Sequence, residues 1–377
     1  MKILPGSTIG MLGGGQLGRM FTVAARTMGY EVIVLDPDEN SPAGKLATDH
    51  VCANYDDQTA LDYIAKTCDA ITTEFENVPA STLEKLAASC PVRPGAQAVT
   101  ITQDRIHEKT FLRDNDFPTA PFAVINSIED LQNNIVQVGT PAILKVSRFG
   151  YDGKGQFGIN SPEDVDVAWN TLMGEACVLE QRMPLDIEVS VVLARGLSGE
   201  VVTYPVAENI HEGGILDVSI VPARVEAALA EKVIAMAKNI ATALDYVGVM
   251  AVEFFVSNGE VLVNEIAPRP HNSGHYTLDA CITDQFEQQV RAVCGLPLGD
   301  TRQLSPVVMI NMLGDIWHNG KNPDWNKLLD HPNIKLHLYG KREARPGRKM
   351  GHYNVVANTI EEALQLAKST QQALARP

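Results

Sequence analysis

Residues 1–93 alternate short apolar segments with amphipathic ones, and this alternation restricts the possible folds more than any other feature of the sequence. Thr8–Leu12, Glu31–Leu35 and Ala70–Glu74 have the length and composition of buried strands. Between the first two, apolar residues recur across Leu17–Met28 at the spacing of one helix face. Because strands that alternate with helices form a mostly parallel, doubly wound sheet, we predict a Rossmann-like amino-terminal domain.

A glycine-rich turn, Gly13-Gly14-Gly15-Gln16-Leu17-Gly18, follows the first strand and opens the first helix. With Asp36 at the end of the next strand, it matches the fingerprint of dinucleotide-binding proteins. The N–H groups at such a helix start favour any anion, not NAD alone. The motif therefore predicts NAD(P) binding, a site for another phosphate, or only a tight turn between strand and helix.

The segment Cys90–Gly95 interrupts the alternation with two prolines and a glycine, and it predicts a domain boundary. Beyond it the pattern is α+β, with helix starts at Ser127 and Ser161, each followed three residues later by an aspartate. The composition shifts again after Gly295. We therefore predict an α/β domain followed by α+β domains, over residues 1–93, 94–297 and 298–377.

A predicted strand carries Lys145 and leads into a glycine-rich loop, Gly150-Tyr151-Asp152-Gly153-Lys154-Gly155-Gln156. Free N–H groups on a flexible backbone, flanked by cationic side chains, suit the binding of a polyphosphate. The loop lacks the GxxxxGK(S/T) spacing, so it is not a P-loop. A phosphate-binding loop and a mobile surface turn with solvated charges both fit these residues.

The segment VMAVEFFVSNGEVLVNEIAPR predicts a hairpin that turns at Asn258-Gly259 and carries Glu253 and Glu265 in its strands. Lone carboxylates in apolar strands are costly unless something compensates them, and a shared Mg²⁺ would do so. A two-residue turn would put the glutamates on opposite faces, whereas the three-residue loop Ser257–Gly259 would make them diagonal neighbours about 7–8 Å apart. We therefore predict an odd-numbered loop if both bind magnesium. An edge hairpin with a salt bridge is the alternative.

Charged residues also follow the hairpin. Arg269, His271 and His275 lie in APRPHNSGH, where the prolines argue against the helix that a histidine pair would need to bind zinc. Farther along, Lys341–Lys349 contains five basic side chains and one acidic side chain. Such a run is either a solvated loop or a shaped turn that holds a phosphate monoester.

The overall charge limits the classes of partner. With 46 acidic and 31 basic residues, the net charge of −15 argues against nucleic acid and anionic membranes, because phosphate binding needs a cationic surface. No run approaches the roughly 18 apolar residues of a membrane span, and the first residues lack the apolar region of a signal peptide. The six cysteines form no CxxC pair, which is typical of reduced thiols. We expect a cytoplasmic protein.

The order of these features resembles the ATP-grasp ligases. GGGQLGRM, TTEFENVP, GYDGKGQ, NEIAPRPHNSGHYT and YGKREARPGRKMGH are together similar to the family within them that makes 5-(carboxyamino)imidazole ribonucleotide in purine biosynthesis. The resemblance covers nearly the whole chain and implies a Rossmann-like domain, an ATP-grasp core and a small carboxy-terminal domain, assembled as a homodimer. It implies ATP and Mg²⁺, or Mn²⁺ in its place, as cofactors. The implied substrates are 5-aminoimidazole ribonucleotide and bicarbonate.

The resemblance also implies roles for individual residues. Contacts to ATP would come from Arg105, Lys145, Gly150, Tyr151, Asp152, Gly153, Lys154, Gly155, Gln156, Glu180, Gln181, Arg182, Met183, Glu188, His211, Asn264 and Glu265. Mg²⁺ would be held by Glu253 and Glu265. The ribonucleotide site would contain Gln16, Glu76, Tyr151, Asp152, Lys154, Arg269, His271, Lys341 and Arg348. In the catalytic set, Lys145 would neutralise the transferring phosphoryl group, Asp152 would orient or deprotonate the substrate amine, and Arg269 would bind bicarbonate or carboxyphosphate.

Several other functions compete with this assignment. One is another ATP-grasp ligase, such as a formate-dependent glycinamide ribonucleotide transformylase or a biotin carboxylase. An NAD-dependent oxidoreductase would use the first glycine motif, but residues 1–90 carry no second acid–base constellation. A non-catalytic ATP sensor would not need the paired glutamates, whose main use is metal-supported phosphoryl transfer.

Overall fold

The amino-terminal strands form a parallel sheet, as the alternation predicts. A computed structural model of the chain describes residues 2–150 and 154–375. The elements before the first predicted boundary are β1 (Thr8–Leu12), α1 (Gln16–Thr27), β2 (Glu31–Leu35), β3 (Asp49–Val51), α2 (Gln58–Thr67), β4 (Ala70–Thr73) and α3 (Ala80–Ala87). The strand order is β3-β2-β1-β4, with parallel pairing of β1 to β2 and β4, and of β2 to β3. The predicted Rossmann-like arrangement is confirmed.

An antiparallel sheet follows, and it carries the strand that leads into the second glycine-rich loop. Its segment contains α4 (Ala96–Thr102), α5 (Arg105–Asp114), β5 (Phe122–Ile125), α6 (Ile128–Val138), β6 (Ala142–Val146), β7 (Gln156–Ile159), α7 (Val165–Thr171) and β8 (Cys177–Gln181). The strand order is β5-β8-β6-β7. The helix start at Ser127 is confirmed, because Asp130 N–H donates to its Oγ at 3.1 Å. Ser161 forms a capping box with Asp164.

A larger, mainly antiparallel sheet joins the centre of the chain to its carboxy-terminal part. Its segment contains β9 (Ile187–Arg195), β10 (Val201–Thr203), β11 (Ala207–Glu212), β12 (Ile215–Val221), α8 (Ala227–Ala243), β13 (Gly248–Ser257), β14 (Glu260–Ala267), α9 (Thr277–Ala280), α10 (Gln285–Val293), β15 (Val307–Leu313), α11 (Asn326–Leu329), β16 (Ile334–Leu338), β17 (Lys349–Val356) and α12 (Ile360–Leu374). The order is β14-β13-β9-β11-β12-β15-β17-β16, with β10 paired to β9. Because β12 pairs with β15, the carboxy-terminal strands extend the central sheet.

The two faces of this sheet differ in polarity around Glu253, where β9 and β13 pair. One face packs Val191 and Val252 against α8 in a hydrophobic core. The other face carries Glu253 opposite Ser190. Polar residues therefore lie on a rigid sheet whose opposite face is fixed by apolar packing. None of the described helices is long and apolar enough to span a membrane.

Candidate active site

The two candidate metal ligands, Glu253 on β13 and Glu265 on β14, lie directly opposite each other. The hairpin turns through Asn258-Gly259 alone, whose φ angles of 51° and 76° are the left-handed values of a two-residue turn. An uninterrupted ladder from this turn would pair Glu253 with Asn264 and separate the glutamates by face. The prediction of an odd-numbered loop is therefore wrong.

A β-bulge brings the two carboxylates to the same face. Phe254 pairs with Val263, whereas Glu253 pairs with Glu265, so Asn264 is the extra residue in β14. Directly opposed residues of this kind have Cβ atoms about 5 Å apart. The bulge thus unites the side chains that a regular hairpin with this turn would separate.

Glu253 is largely buried and contacts two polar side chains. His271 Nε2 lies 3.2 Å from Glu253 Oε1, and Asn264 Nδ2 donates to Oε2 at 3.3 Å. Burial by itself would raise the pKa of Glu253, but the hydrogen bond and charge of His271, with the charge of His211, lower it to about 2. Carboxylate oxygens on one face are the donors that Mg²⁺ takes up together with substrate phosphates, so Glu253 and Glu265 fit the metal.

A cluster of largely buried ion pairs adjoins Glu253 and Glu265. Lys145 Nζ lies 3.1 Å from Glu180 Oε1, and Lys109 Nζ lies 3.1 Å from Oε2. Burial would raise the pKa of Glu180, but Lys109, Lys145 and Arg105 lower it to about 2. Burial also lowers the pKa of Lys145. Arg105 Nη1 lies 3.3 Å from Glu265 Oε2, and this contact links the cluster to the Glu253–Glu265 pair.

Lys109 and its neighbour Glu108 were missed by the sequence reasoning. In a helix start such as RIHEKTF they resemble solvated charges, yet Lys109 is fully buried and Glu108 is 2% exposed. The four-residue spacing from Arg105 to Lys109 could have found them, because it places both cations on one helix face.

The remaining ATP candidates lie on β8, on β9 and β11, and in the turn between β8 and β9. Glu188 Oε2 lies 3.0 Å from His211 Nδ1. Burial by itself would lower the pKa of His211, but the hydrogen bond to Glu188 and the charge of Glu253 raise it. Gln181 ends β8, and the N–H of Arg182 donates to the Pro141 carbonyl at 2.9 Å, with Met183 next in the chain.

Part of the second glycine-rich loop cannot be placed against these residues. Three assigned positions lie outside the described residues: Tyr151, Asp152 and Gly153. Gly150 and the exposed Lys154 are the loop residues on either side of these three positions. The carbonyl of Gly155 accepts the N–H of Val146 at 2.8 Å. Gln156 pairs with Lys145 across β6 and β7, so the loop ends beside this lysine.

Arg269 and Glu76 connect the first domain to the hairpin. Arg269 Nε donates to Glu76 Oε2 at 2.7 Å, and Nη2 donates to Oε1 at 3.5 Å. Burial by itself would raise the pKa of Glu76, but the charge and hydrogen bond of Arg269 lower it. This two-point contact gives the guanidinium a fixed orientation.

The basic run meets the first glycine turn at a cavity of about 250 Å³. Lys341 and Arg348 line this cavity together with Gly14 and Gly15. Lys341 Nζ donates to Gln16 Oε1, and to the Lys349 carbonyl at 2.7 Å. The structure therefore brings Gln16, Lys341 and Arg348 together, although they are distant in the sequence.

The N–H groups of the first glycine turn already have carboxylate partners. Gly15 N–H donates to Glu74 Oε1, and Gly18 N–H donates to Oε2 at 2.6 Å. Gly14 N–H donates to Asp36 Oδ2 at 2.6 Å. A Cβ atom on Gly15 would lie 2.6 Å from Glu74 Oε1, so this glycine is needed for the close approach. Glu74 occupies the donors that a dinucleotide pyrophosphate would use, which argues against the NAD hypothesis.

His271 and His275 have separate partners. His271 contacts Glu253, whereas the Nδ1 of His275 lies 3.0 Å from Gln285 Nε2. The ring of His275 packs on His352 with centroids 4.8 Å apart. Within residues 2–150 and 154–375, no group of three or more His, Cys, Asp or Glu side chains is arranged to hold a metal ion. A magnesium site would therefore use the glutamate pair together with substrate phosphates.

Comparison with known proteins finds similarity along nearly the whole chain. Family models match over residues 6–103 (ribonucleotide synthetase preATP-grasp domain), 110–286 (ATP-grasp domain) and 307–366 (phosphoribosylaminoimidazole carboxylase C-terminal domain). The N5-carboxyaminoimidazole ribonucleotide synthase of Bacillus subtilis is 44% identical over 365 residues, 96% of this chain and 95% of the relative. That of Brucella melitensis is 46% identical over 357 residues, 93% and 96% of the two chains.

A solved structure of N5-carboxyaminoimidazole synthase from Aspergillus clavatus, in complex with ADP and 5-aminoimidazole ribonucleotide, also matches. It is 33% identical, covers 98% of this chain and 99% of that one, and superposes with a TM-score of 0.90. The likeness therefore extends over nearly the whole chain.

Proposed function

The chain belongs to the N5-carboxyaminoimidazole ribonucleotide synthase family, and we propose that it uses ATP and bicarbonate to carboxylate the exocyclic amine of 5-aminoimidazole ribonucleotide. It is an ATP-grasp ligase of purine biosynthesis, and the family indicated by the sequence motifs is confirmed. The observation that carries the proposal is the direct pairing of Glu253 with Glu265 beside the buried Lys145–Glu180 ion pair.

The ATP site is proposed to lie between the four-stranded sheet β5-β8-β6-β7 and the β13–β14 hairpin. Glu253 and Glu265 would hold Mg²⁺, which when bound neutralises negative charge on phosphate oxygens. Lys145 supplies a fixed cation for the transferring phosphoryl group. Further ATP contacts are proposed for the loop Gly150–Gln156 and for Arg105, Glu180, Gln181, Arg182, Met183, Glu188, His211 and Asn264.

The ribonucleotide is proposed to bind where the first domain, the hairpin and the basic run meet. Lys341 and Arg348 line the cavity beside Gly14 and Gly15 and would bind the 5′-phosphate. Asp36, Asp38 and Glu74 line the same cavity, where Asp36 and Glu74 accept the N–H groups of the glycine turn. The remaining contacts are proposed for Gln16, Glu76, Tyr151, Asp152, Lys154, Arg269 and His271.

The reaction needs two bond exchanges. An oxygen of bicarbonate attacks the γ-phosphorus of ATP, and the bond to the leaving ADP breaks, giving carboxyphosphate. The substrate amine then attacks the carboxyl carbon, the carbon–oxygen bond to phosphate breaks, and the amine loses a proton. Direct attack and prior release of CO₂ both yield the same carbamate and phosphate. Carboxyphosphate can hydrolyse and CO₂ can escape, so excluding water from the site beside the Gly150–Gln156 loop would favour formation of the carbamate.

Asp152 is proposed to accept the amine proton or to orient the amine. Replacing it with asparagine keeps the shape and removes the basic oxygen, so we expect Asp152→Asn to lower kcat by about 10²-fold, as for the loss of a general base. The measurement is ADP release with saturating substrates. Unchanged turnover in this variant would remove the proposed role.

Arg269 is proposed to bind bicarbonate or carboxyphosphate. Because Glu76 fixes its guanidinium, we expect Arg269→Ala to raise the KM for bicarbonate by about tenfold, which corresponds to one charge-assisted hydrogen bond. Initial rates over a bicarbonate series measure this effect. Arg302→Ala, at an exposed ion pair with Asp300, is the control and should leave the KM unchanged. An Arg269→Ala variant with the wild-type bicarbonate response contradicts the assignment.

The substrate test separates the competing functions. We expect ADP release with 5-aminoimidazole ribonucleotide and bicarbonate, and none above background with formate plus glycinamide ribonucleotide, or with biotin plus bicarbonate. Activity with formate or biotin would assign another ATP-grasp reaction. NAD-dependent turnover would support an oxidoreductase, and ATP binding without turnover would support a sensor.

The finer properties of the enzyme are also proposed. We propose a Mg²⁺-dependent, cytoplasmic homodimer that does not bind nucleic acid or membranes. The family resemblance supports the dimer, and the net charge of −15 supports the absence of polyanionic partners. Sedimentation equilibrium is expected to give twice the mass of one chain.

A further inference from the structure

The outer edge of β14 is bound by the segment that contains α5. Lys109 Nζ donates to the Asn264 carbonyl at 2.9 Å, and Ile266 N–H donates to Glu108 Oε1. Before the bulge, Val263 N–H donates to the Pro118 carbonyl at 2.7 Å. Because β14 ends the strand order of its sheet, no described strand pairs with Asn264 and Ile266 on this side, and side chains of α5 bind their backbone groups instead. Val263 forms an isolated parallel bridge with Thr119.

These contacts are specific to the bulged register. Asn264 is the extra residue of the bulge, and Glu108 and Lys109 bind backbone groups on either side of Glu265. A one-residue slip would send the Glu265 side chain to the opposite face and leave the buried Glu108 and Lys109 without these partners. Leaving a buried polar group unsatisfied is destabilising, and more so when the group is charged, so the pair of contacts opposes the slip.

We infer that Glu108 and Lys109 are positioning residues, which hold the Asn264 bulge and thereby keep Glu265 opposite Glu253 for metal binding. The inference rests on the proposed function, because it takes the two glutamates as ligands of Mg²⁺. Neither residue needs to contact the metal or ATP in this role. Their effect passes through the backbone of β14 to the orientation of one carboxylate.

Glu108 gives the cleaner test of this role. Lys109 also forms an ion pair with Glu180, so its replacement would disturb the proposed ATP site as well. Glu108→Leu removes the acceptor of the Ile266 N–H and keeps an apolar side chain of similar size in a buried position. Glu108→Gln keeps a side-chain oxygen that can accept the same hydrogen bond. Asp114→Leu replaces an exposed acid on the same helix.

Electron paramagnetic resonance is used to measure the binding of Mn²⁺ to the full chain in the presence of saturating ADP. We expect Glu108→Leu to weaken Mn²⁺ binding by about tenfold, the scale of residues that orient metal ligands. ADP affinity without metal should stay at the wild-type value. Glu108→Gln and Asp114→Leu should bind Mn²⁺ as the wild type does. Wild-type Mn²⁺ affinity in Glu108→Leu would overturn the inference, as would equal losses of metal and ADP affinity.

A second measurement needs no variant and covers the case in which Glu108→Leu does not fold. In the wild type, the Ile266 N–H should be protected from hydrogen exchange at single-residue resolution, because Glu108 accepts it; free exchange would overturn the inference. Failure of the proposed function gives a different result. A wild type that binds Mn²⁺ and ADP but does not carboxylate the ribonucleotide leaves the positioning role intact, whereas a wild type that binds no Mn²⁺ overturns it.

Discussion

Lys145→Met is expected to lower kcat by about 10³-fold, because it removes a fixed cation from the proposed site of phosphoryl transfer. Lys145 lies near the end of β6, before the second glycine-rich loop, and forms an ion pair with Glu180. Burial lowers the pKa of the Lys145 ammonium, and the adjacent Glu180 carboxylate opposes that effect. The variant should still fold, because Lys109 continues to balance Glu180.

Single-turnover ADP formation measures this effect directly. Lys335→Met, at an exposed position on β16, is the matched control and should retain wild-type turnover. Thermal unfolding of both variants checks that the loss is chemical. A Lys145→Met variant that keeps wild-type turnover would show that the lysine does not act on the phosphoryl group.

Glu180→Gln is expected to destabilise the fold by about 3–5 kcal/mol, the usual consequence of breaking a buried ion pair. Glutamine has nearly the same size, but it leaves Lys109 and Lys145 without their common counter-ion. Glu175→Gln, at an exposed acid just before β8, should change stability little. Urea denaturation at neutral pH measures the difference.

The pH dependence of this difference has a defined direction. The pKa of Glu180 is about 2 in the folded protein, below its ordinary value of 4.5. Its stabilising contribution is therefore fully present above the ordinary value and is lost as the pH falls toward 2. The difference in the free energy of unfolding between Glu180→Gln and the wild type should therefore become smaller as the pH falls through this range. A gap that is constant with pH, or absent at neutral pH, would contradict the buried ion-pair account.

The sequence was sufficient where local pattern decides structure. The alternation of strands and helices predicted the parallel sheet, and capping residues predicted helix starts such as that at Ser127. The motif order also identified the family. These features depend on neighbours a few residues apart, or on similarity along the whole chain.

The hairpin shows where local reasoning failed. The cost of carboxylates in apolar strands points to Glu253 and Glu265, but the predicted odd-numbered loop follows only if the ladder is unbroken. Nothing in VLVNEIA marks Asn264 as the bulged residue. The groups that bind the bulge come from α5, more than 150 positions earlier, so the register depends on tertiary contacts.

The first glycine turn shows the same limit. Its spacing is that of a dinucleotide site, and its ligand could not be chosen from the motif. Glu74 directly follows β4, and its carboxylate accepts hydrogen bonds from the N–H groups of Gly15 and Gly18. Only the neighbouring β1–β4 pairing brings this residue to the turn.

The transfer of oxygen from bicarbonate to phosphate tests the central claim most directly. ATP and 5-aminoimidazole ribonucleotide react with ¹⁸O-labelled bicarbonate before the bicarbonate exchanges its oxygens with water. The released phosphate, whose label is stable, is then analysed by ³¹P NMR. If bicarbonate attacks the γ-phosphorus, each phosphate formed carries one oxygen from bicarbonate. Phosphate without this label, formed at the rate of ADP release, would contradict carboxyphosphate formation and the function proposed for this chain.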